Sequence, residues 1–123
     1  MTAMPDTDTR RIVRSYHDAW VSGDVDAVGK FLADEVVNPA PFNNHSTSPF
    51  SRADYVEGLR RFRQTVTGVD MIGELYGEGE ASLIYDVHTS TRGTFHTSEY
   101  FRLTGGLIST VILIFDVTPP ATS

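Results

Sequence analysis

Between Arg10 and Val21 the apolar residues Ile12, Tyr16, Ala19 and Trp20 recur along one stripe with the 3.6-residue period of a helix face, which predicts a first helix there. Asp8 or Thr9 is placed to cap its start, and Gly23 to take the left-handed conformation that commonly closes a helix. Asp24 then caps a shorter helix carrying Val25, Val28, Phe31 and Leu32. From Asn38 to Pro49 the residues Pro39, Pro41, Asn43, Asn44, Ser46, Ser48 and Pro49 break any period, which predicts a loop long enough to serve as a lid. Ser51 and Asp54 match the S-x-x-D capping pattern, and Tyr55, Leu59, Phe62 and Val66 follow at helical spacing, so a third helix is expected to about Val66. Its Arg60, Arg61 and Arg63 read as a solvated face, with an anion site as the alternative.

After Gly68 the pattern changes to period two. β-Branched and aromatic residues alternate through Val117, which predicts strands near 69–76, 81–91, 94–103 and 107–117, separated by short glycine turns of the hairpin kind. Pro119 and Pro120 end the last strand. Three helices followed by long antiparallel strands make an α+β order. Strands of about ten residues twist and curl, so the expected architecture is a cone-shaped curved antiparallel sheet packed against three N-terminal helices, with an apolar ligand site at its open end. The expected division is a flexible N-terminus over 1–9, one domain over 10–117 and a flexible C-terminus over 118–123.

Composition narrows the partners. A chain of 123 residues with 40% hydrophobic and 21% charged residues suits a single folded domain. Its 16 acidic against 10 basic residues give a formal charge of −6, which disfavours nucleic acid and anionic membranes. Without cysteine there is no disulfide, thiolate nucleophile or cysteine-ligated metal. No secretion signal is visible in the first residues, and the longest apolar run, 111–115, is strand-length, so a soluble cytoplasmic protein is expected. No G-x-S-x-G, P-loop or H-E-x-x-H pattern is present, and no cofactor or metal is expected.

Tyr16-His17-Asp18-Ala19-Trp20, the Gly23-Asp24 turn and Phe31-Leu32-Ala33-Asp34-Glu35 resemble the opening of nuclear transport factor 2-like proteins. Glu99-Tyr100-Phe101, the Gly105-Gly106 turn and Ile114-Phe115-Asp116 resemble the closing strands of the SnoaL-like and ketosteroid isomerase-like branches of that cystatin-like fold. The resemblance covers nearly all of 10–117 and implies a pocket for a small apolar carbonyl compound, polyketide- or steroid-like, with acid–base isomerisation or cyclisation as the activity. A non-catalytic binding or dimerisation module is the alternative. It implies that Tyr16 is an oxyanion donor and that Glu99 stands where a protonated aspartate serves as the second donor. Where the general base aspartate precedes a proline, this chain has Asn38 before Pro39, and an amide cannot take a proton. A homodimer through the outer sheet face is also implied.

Read as chemistry, the third long strand can turn Thr97, Glu99, Phe101 and Leu103 inward, which would desolvate Glu99 and raise its pKa; opposite parity would leave it on a wet face. An inward Glu99 is a candidate partner for the Tyr16 phenol, whose alternative is a core aromatic with a satisfied hydroxyl. Asn38 either orients a ligand carbonyl or terminates its strand. His45, in the loop, could supply the missing acid or base or remain a surface histidine. Trp20, Tyr55, Leu59, Tyr85, Val87, Phe101, Leu113 and Phe115 are expected to line the pocket, with plain core packing as the alternative for each.

Overall fold

The computed structural model describes residues 6–38 and 49–120. Helix α1 spans Asp6–Ser22, α2 Val25–Val28 and α3 Arg52–Arg63; the strands are β1 Leu32–Val37, β2 Phe50–Ser51, β3 Val66–Tyr76, β4 Glu80–Thr89, β5 Thr94–Thr104 and β6 Leu107–Thr118. Thr9 is not a cap but an interior residue of α1. It is fully buried, and its Oγ1 accepts from the Gly79 N–H at 3.0 Å, so the helix begins earlier than the apolar stripe indicates. Residues 6–9, expected to be flexible, are therefore helical; likewise Thr118 pairs with Thr94 in the sheet.

Gly23 closes α1 with φ 92°, as its position suggests, and its N–H bonds the Trp20 carbonyl. Asp24 precedes α2 without a side-chain cap bond. The second helix is shorter than expected: it tightens into a 3-10 turn over Gly29–Phe31, and Leu32 opens β1 instead, fully buried and paired with Ile108. Ser51 caps α3, its Oγ accepting from the Asp54 N–H at 3.1 Å. Arg63 is no mere solvated charge. Its guanidinium donates to the carbonyls of Trp20 and Val21 at 3.0 Å and Val66 at 3.3 Å, tying the end of α1 to the start of β3. Arg60 pairs with Asp26 and Glu57.

The sheet runs β2-β1-β6-β5-β4-β3. It is mixed, since β1 lies parallel to β6 while every other pair is antiparallel. Register shifts in β3 between Met71 and Gly73 and in β5–β6 at Arg102–Leu103 add local bend. Gly93 shows what the hairpins demand: at φ 88°, a Cβ there would lie 2.1 Å from the Thr118 carbonyl oxygen. α1 packs on the inner face of β3, β4 and β6, and the core gathers Val13, Tyr16 and Trp20 with Leu83, Phe101 and Ile108. Among the described residues no helix is long and apolar enough to cross a membrane.

Candidate functional site

Alternation along β5 decides the chemistry. Thr97, Glu99 and Phe101 are buried while His96 is exposed, the inward phase weighed above. Glu99 is 3% exposed. Its Oε1 accepts from the Tyr85 hydroxyl at 2.7 Å. Tyr85 sits on β4 one pair diagonal to Glu99, which faces Leu83 directly on that side and Leu113 on the other. Oε2 has no hydrogen-bond partner among the described residues. Burial pushes the Glu99 carboxyl up to about 7, with the Tyr85 bond pulling weakly the other way.

Tyr16 does not bond Glu99 as expected. From α1 its hydroxyl meets the Tyr55 hydroxyl of α3 at 2.9 Å, while its ring packs edge-on against Phe101. Burial raises the pKa values of Tyr16, Tyr55 and Tyr85, so all three stay protonated as donors. In a phenol pair one hydroxyl gives its proton to the other, and the accepting hydroxyl keeps a proton for a third partner.

These groups surround a chamber of about 90 Å³, with Tyr16, Tyr85 and Glu99 among its lining. A groove of about 550 Å³ lies beside it, reaching out to Phe50, Asp54, Glu57 and Arg61. Asn38, Tyr55, Leu59, Phe62 and Leu113 line both spaces and so form the neck between them.

Of the residues expected to line the pocket, Trp20, Tyr55, Leu59, Tyr85 and Leu113 border the chamber. Val87 and Phe101 are buried but belong to the solid core rather than the lining. Phe115 departs further from expectation: it is 42% exposed, stacked at a tilt on Phe95 near the end of β6. Asp116 points to solvent and accepts from its neighbour's N–H. His45 and most of the expected lid lie outside the described residues.

Phe62, which continues the Tyr55–Leu59 stripe of α3, also lines the neck, although it is not among the residues expected there. His17, which like His88 and His96 shows no acid at metal-ligand spacing in the sequence, is buried at 4% exposure with its ring against Trp20 and Tyr85 and its Nδ1 without a partner among the described residues. Burial lowers the His17 pKa to about 4. The spacing Val13, Tyr16, His17, Trp20 is itself a helical stripe and could have found it. Among the described residues no three His, Asp or Glu side chains are gathered to hold a metal ion.

The SnoaL-like domain profile matches residues 13–111. Among solved structures, a provisionally assigned ketosteroid isomerase from Kribbella flavida is 19% identical, with TM-score 0.72, covering 96% of this chain and 85% of its own. A provisionally assigned polyketide cyclase from Acidithiobacillus ferrooxidans is 13% identical, with TM-score 0.74, covering 89% and 88%. A nuclear transport factor 2-like protein of unknown function from Burkholderia xenovorans is 15% identical, with TM-score 0.78, covering 97% and 91%. At such identities the likeness shows the fold alone. No curated protein matches the chain.

Proposed function

The chain belongs to the SnoaL-like domain family, and from that premise we propose that it is an enzyme moving a proton on a small apolar carbonyl compound of polyketide- or steroid-like character. One observation carries this: a buried carboxyl beside a chamber, bonded among the described residues on one oxygen only, with a pKa brought up to about 7. Such a group is partly ionised at neutral pH and can both take and return a proton.

In the reaction a substrate carbonyl oxygen accepts the spare proton of the Tyr16–Tyr55 pair as a hydrogen bond. Oε2 of ionised Glu99 removes a proton from the adjacent carbon, and the negative charge settles on the oxygen held by the phenols. Return of that proton to a carbon further along an unsaturated chain completes an isomerisation, with nothing else consumed. Glu99 then does the work that the amide of Asn38 cannot.

A β,γ-unsaturated methyl ketone tests the reaction, because conjugation brings a rise in ultraviolet absorbance. The rate is expected to climb as pH passes about 7 and to fall at least about a hundredfold in Glu99→Gln, in line with general base catalysis. Equal rates in the native protein and in both Glu99→Gln and Tyr16→Phe overturn the reading. The presence of Asn38 where a base aspartate is expected favours a second reading, a binder that uses the same chamber without turnover. For that reading ketone binding survives in both variants and no isomerisation occurs.

The protein is also proposed to pair with a second copy through the outer sheet face. There Ile72 and Leu75 are 62% and 70% exposed, and Ile84 and Ile114 continue the apolar surface. Light scattering is expected to give twice the chain mass, and a single-chain mass at high concentration removes this part.

A further inference from the structure

The two spaces of the site differ so much in size that they restrict what can enter it. The chamber of about 90 Å³ equals roughly three water volumes, and it is well short of the roughly 150 Å³ cavity that holds a benzene ring. The groove, at about 550 Å³, falls within the roughly 300–1,000 Å³ of ordinary ligand pockets. Among the described residues Tyr16, Tyr55, Tyr85 and Glu99 border the small space, whereas the inner groove walls are Leu59, Phe62 and Leu113. At the outer rim stand exposed Asp54, Glu57 and Arg61, a mixed set that gives no preference for a charged tail.

We propose that the site selects carbonyl compounds whose oxygen lies at a slim end, an acyl head no wider than a methyl ketone, with a neutral apolar tail left in the groove. This rests on the proton-transfer reading and sharpens it. Of the two substrate kinds named there it favours the open-chain, polyketide-like one, because the carbonyl of a fused-ring ketone is carried by a ring that the chamber has no room for.

The neck makes the selection. A carbonyl in the middle of a chain must carry a whole butyl arm past Tyr55, Leu59, Phe62 and Leu113 into the chamber, whereas a terminal one carries a single methyl. The two isomers carry the same number of carbons, so their total apolar surface is equal, and discrimination arises from how much of it must pass with the oxygen into the chamber and how much stays buried in the groove.

Methyl heptyl ketone and dibutyl ketone are isomers of equal size and differ only in where the oxygen sits. Titrated into the protein and followed by Trp20 fluorescence, methyl heptyl ketone is expected to bind at least about tenfold more tightly, a difference of about 1.4 kcal/mol. Phe62→Ala widens the neck and is expected to bring the two affinities within about threefold of each other; Phe62→Leu gives a partial effect if the alanine variant does not fold. Equal affinities in the native protein, tighter binding of dibutyl ketone, or no binding of either overturns the proposal. The outcome is separate from that of the proton-transfer reading: binding preference without isomerisation leaves this inference standing, and isomerisation with no preference removes it alone.

Discussion

Adjacent residues of β4 and β5 face opposite sides of one sheet, and the same kinds of side chain behave differently on the two. On the outer face the ring nitrogens of His96 lie 2.8 Å from Asp86 Oδ1 and 2.7 Å from Thr118 Oγ1, in contact with water. His88 is held likewise between Asp70 at 2.8 Å and Thr94 at 3.0 Å. On the inner face Glu99 and His17 have lost their water and have less to replace it. Among the described residues Glu99 keeps one donor, and the Nδ1 of His17 has none. The difference teaches that reactivity here comes from desolvation rather than from residue type.

The comparison breaks first if the inner face is not a dense core. Phe101→Ala removes a fully buried ring packed on Tyr16, and is expected to cost about 3–5 kcal/mol by urea denaturation. A loss below about 1 kcal/mol would mean that the inner face is loosely packed.

Next in size is the pH dependence of stability. Folded Glu99 holds its proton up to about 7 and the unfolded chain releases it near 4.5, so the folded state carries the extra proton between these values. Stability therefore falls by about 3 kcal/mol as pH rises through that window. For His17 the order is reversed: the unfolded chain binds a proton below 6.5 and the folded ring only below about 4, so stability rises with pH across that interval. The two trends oppose each other in the native protein. Glu99→Gln is expected to uncover a stability that climbs from pH 4 to 6.5, and His17→Phe one that declines from 4.5 to 7. Denaturation midpoints across pH check this, and an identical profile in all three proteins contradicts it.

Smallest is the outer face, where Ile72→Thr is expected to change the stability of the single chain by less than about 0.5 kcal/mol. The same change is expected to weaken pairing of copies, read as a lower mass by light scattering on dilution. A large loss of single-chain stability would show that Ile72 packs within its own chain.

Local signals were legible in the sequence. The Ser51 cap, the left-handed Gly23, the inward alternative for the phase of β5 and the helical stripe of α1 depend on neighbouring residues and are found in the structure; α3 keeps its stripe only to Phe62 and ends at Arg63, so Val66, expected to close that helix, opens β3 instead. Features that depend on distant residues were not. The parallel pairing of β1 with β6 and the two-residue β2 leave no period to read. Tyr85, rather than Tyr16, became the partner of Glu99 because strand register decides which hydroxyl arrives, and register follows from turns and bulges along the whole sheet. Phe115 shares its phase with Leu113, yet alternation cannot say where helical cover ends.

The account stands on one buried acid. Carbon-13 labelling of the glutamate carboxyls, with Glu99→Gln to assign the signal, gives its titration midpoint directly by NMR. The expected result is a midpoint near 7, moving higher in Tyr85→Phe as the opposing hydrogen bond is lost. A midpoint near 4.5, unchanged in Tyr85→Phe, would contradict it and leave the fold without its proposed chemistry.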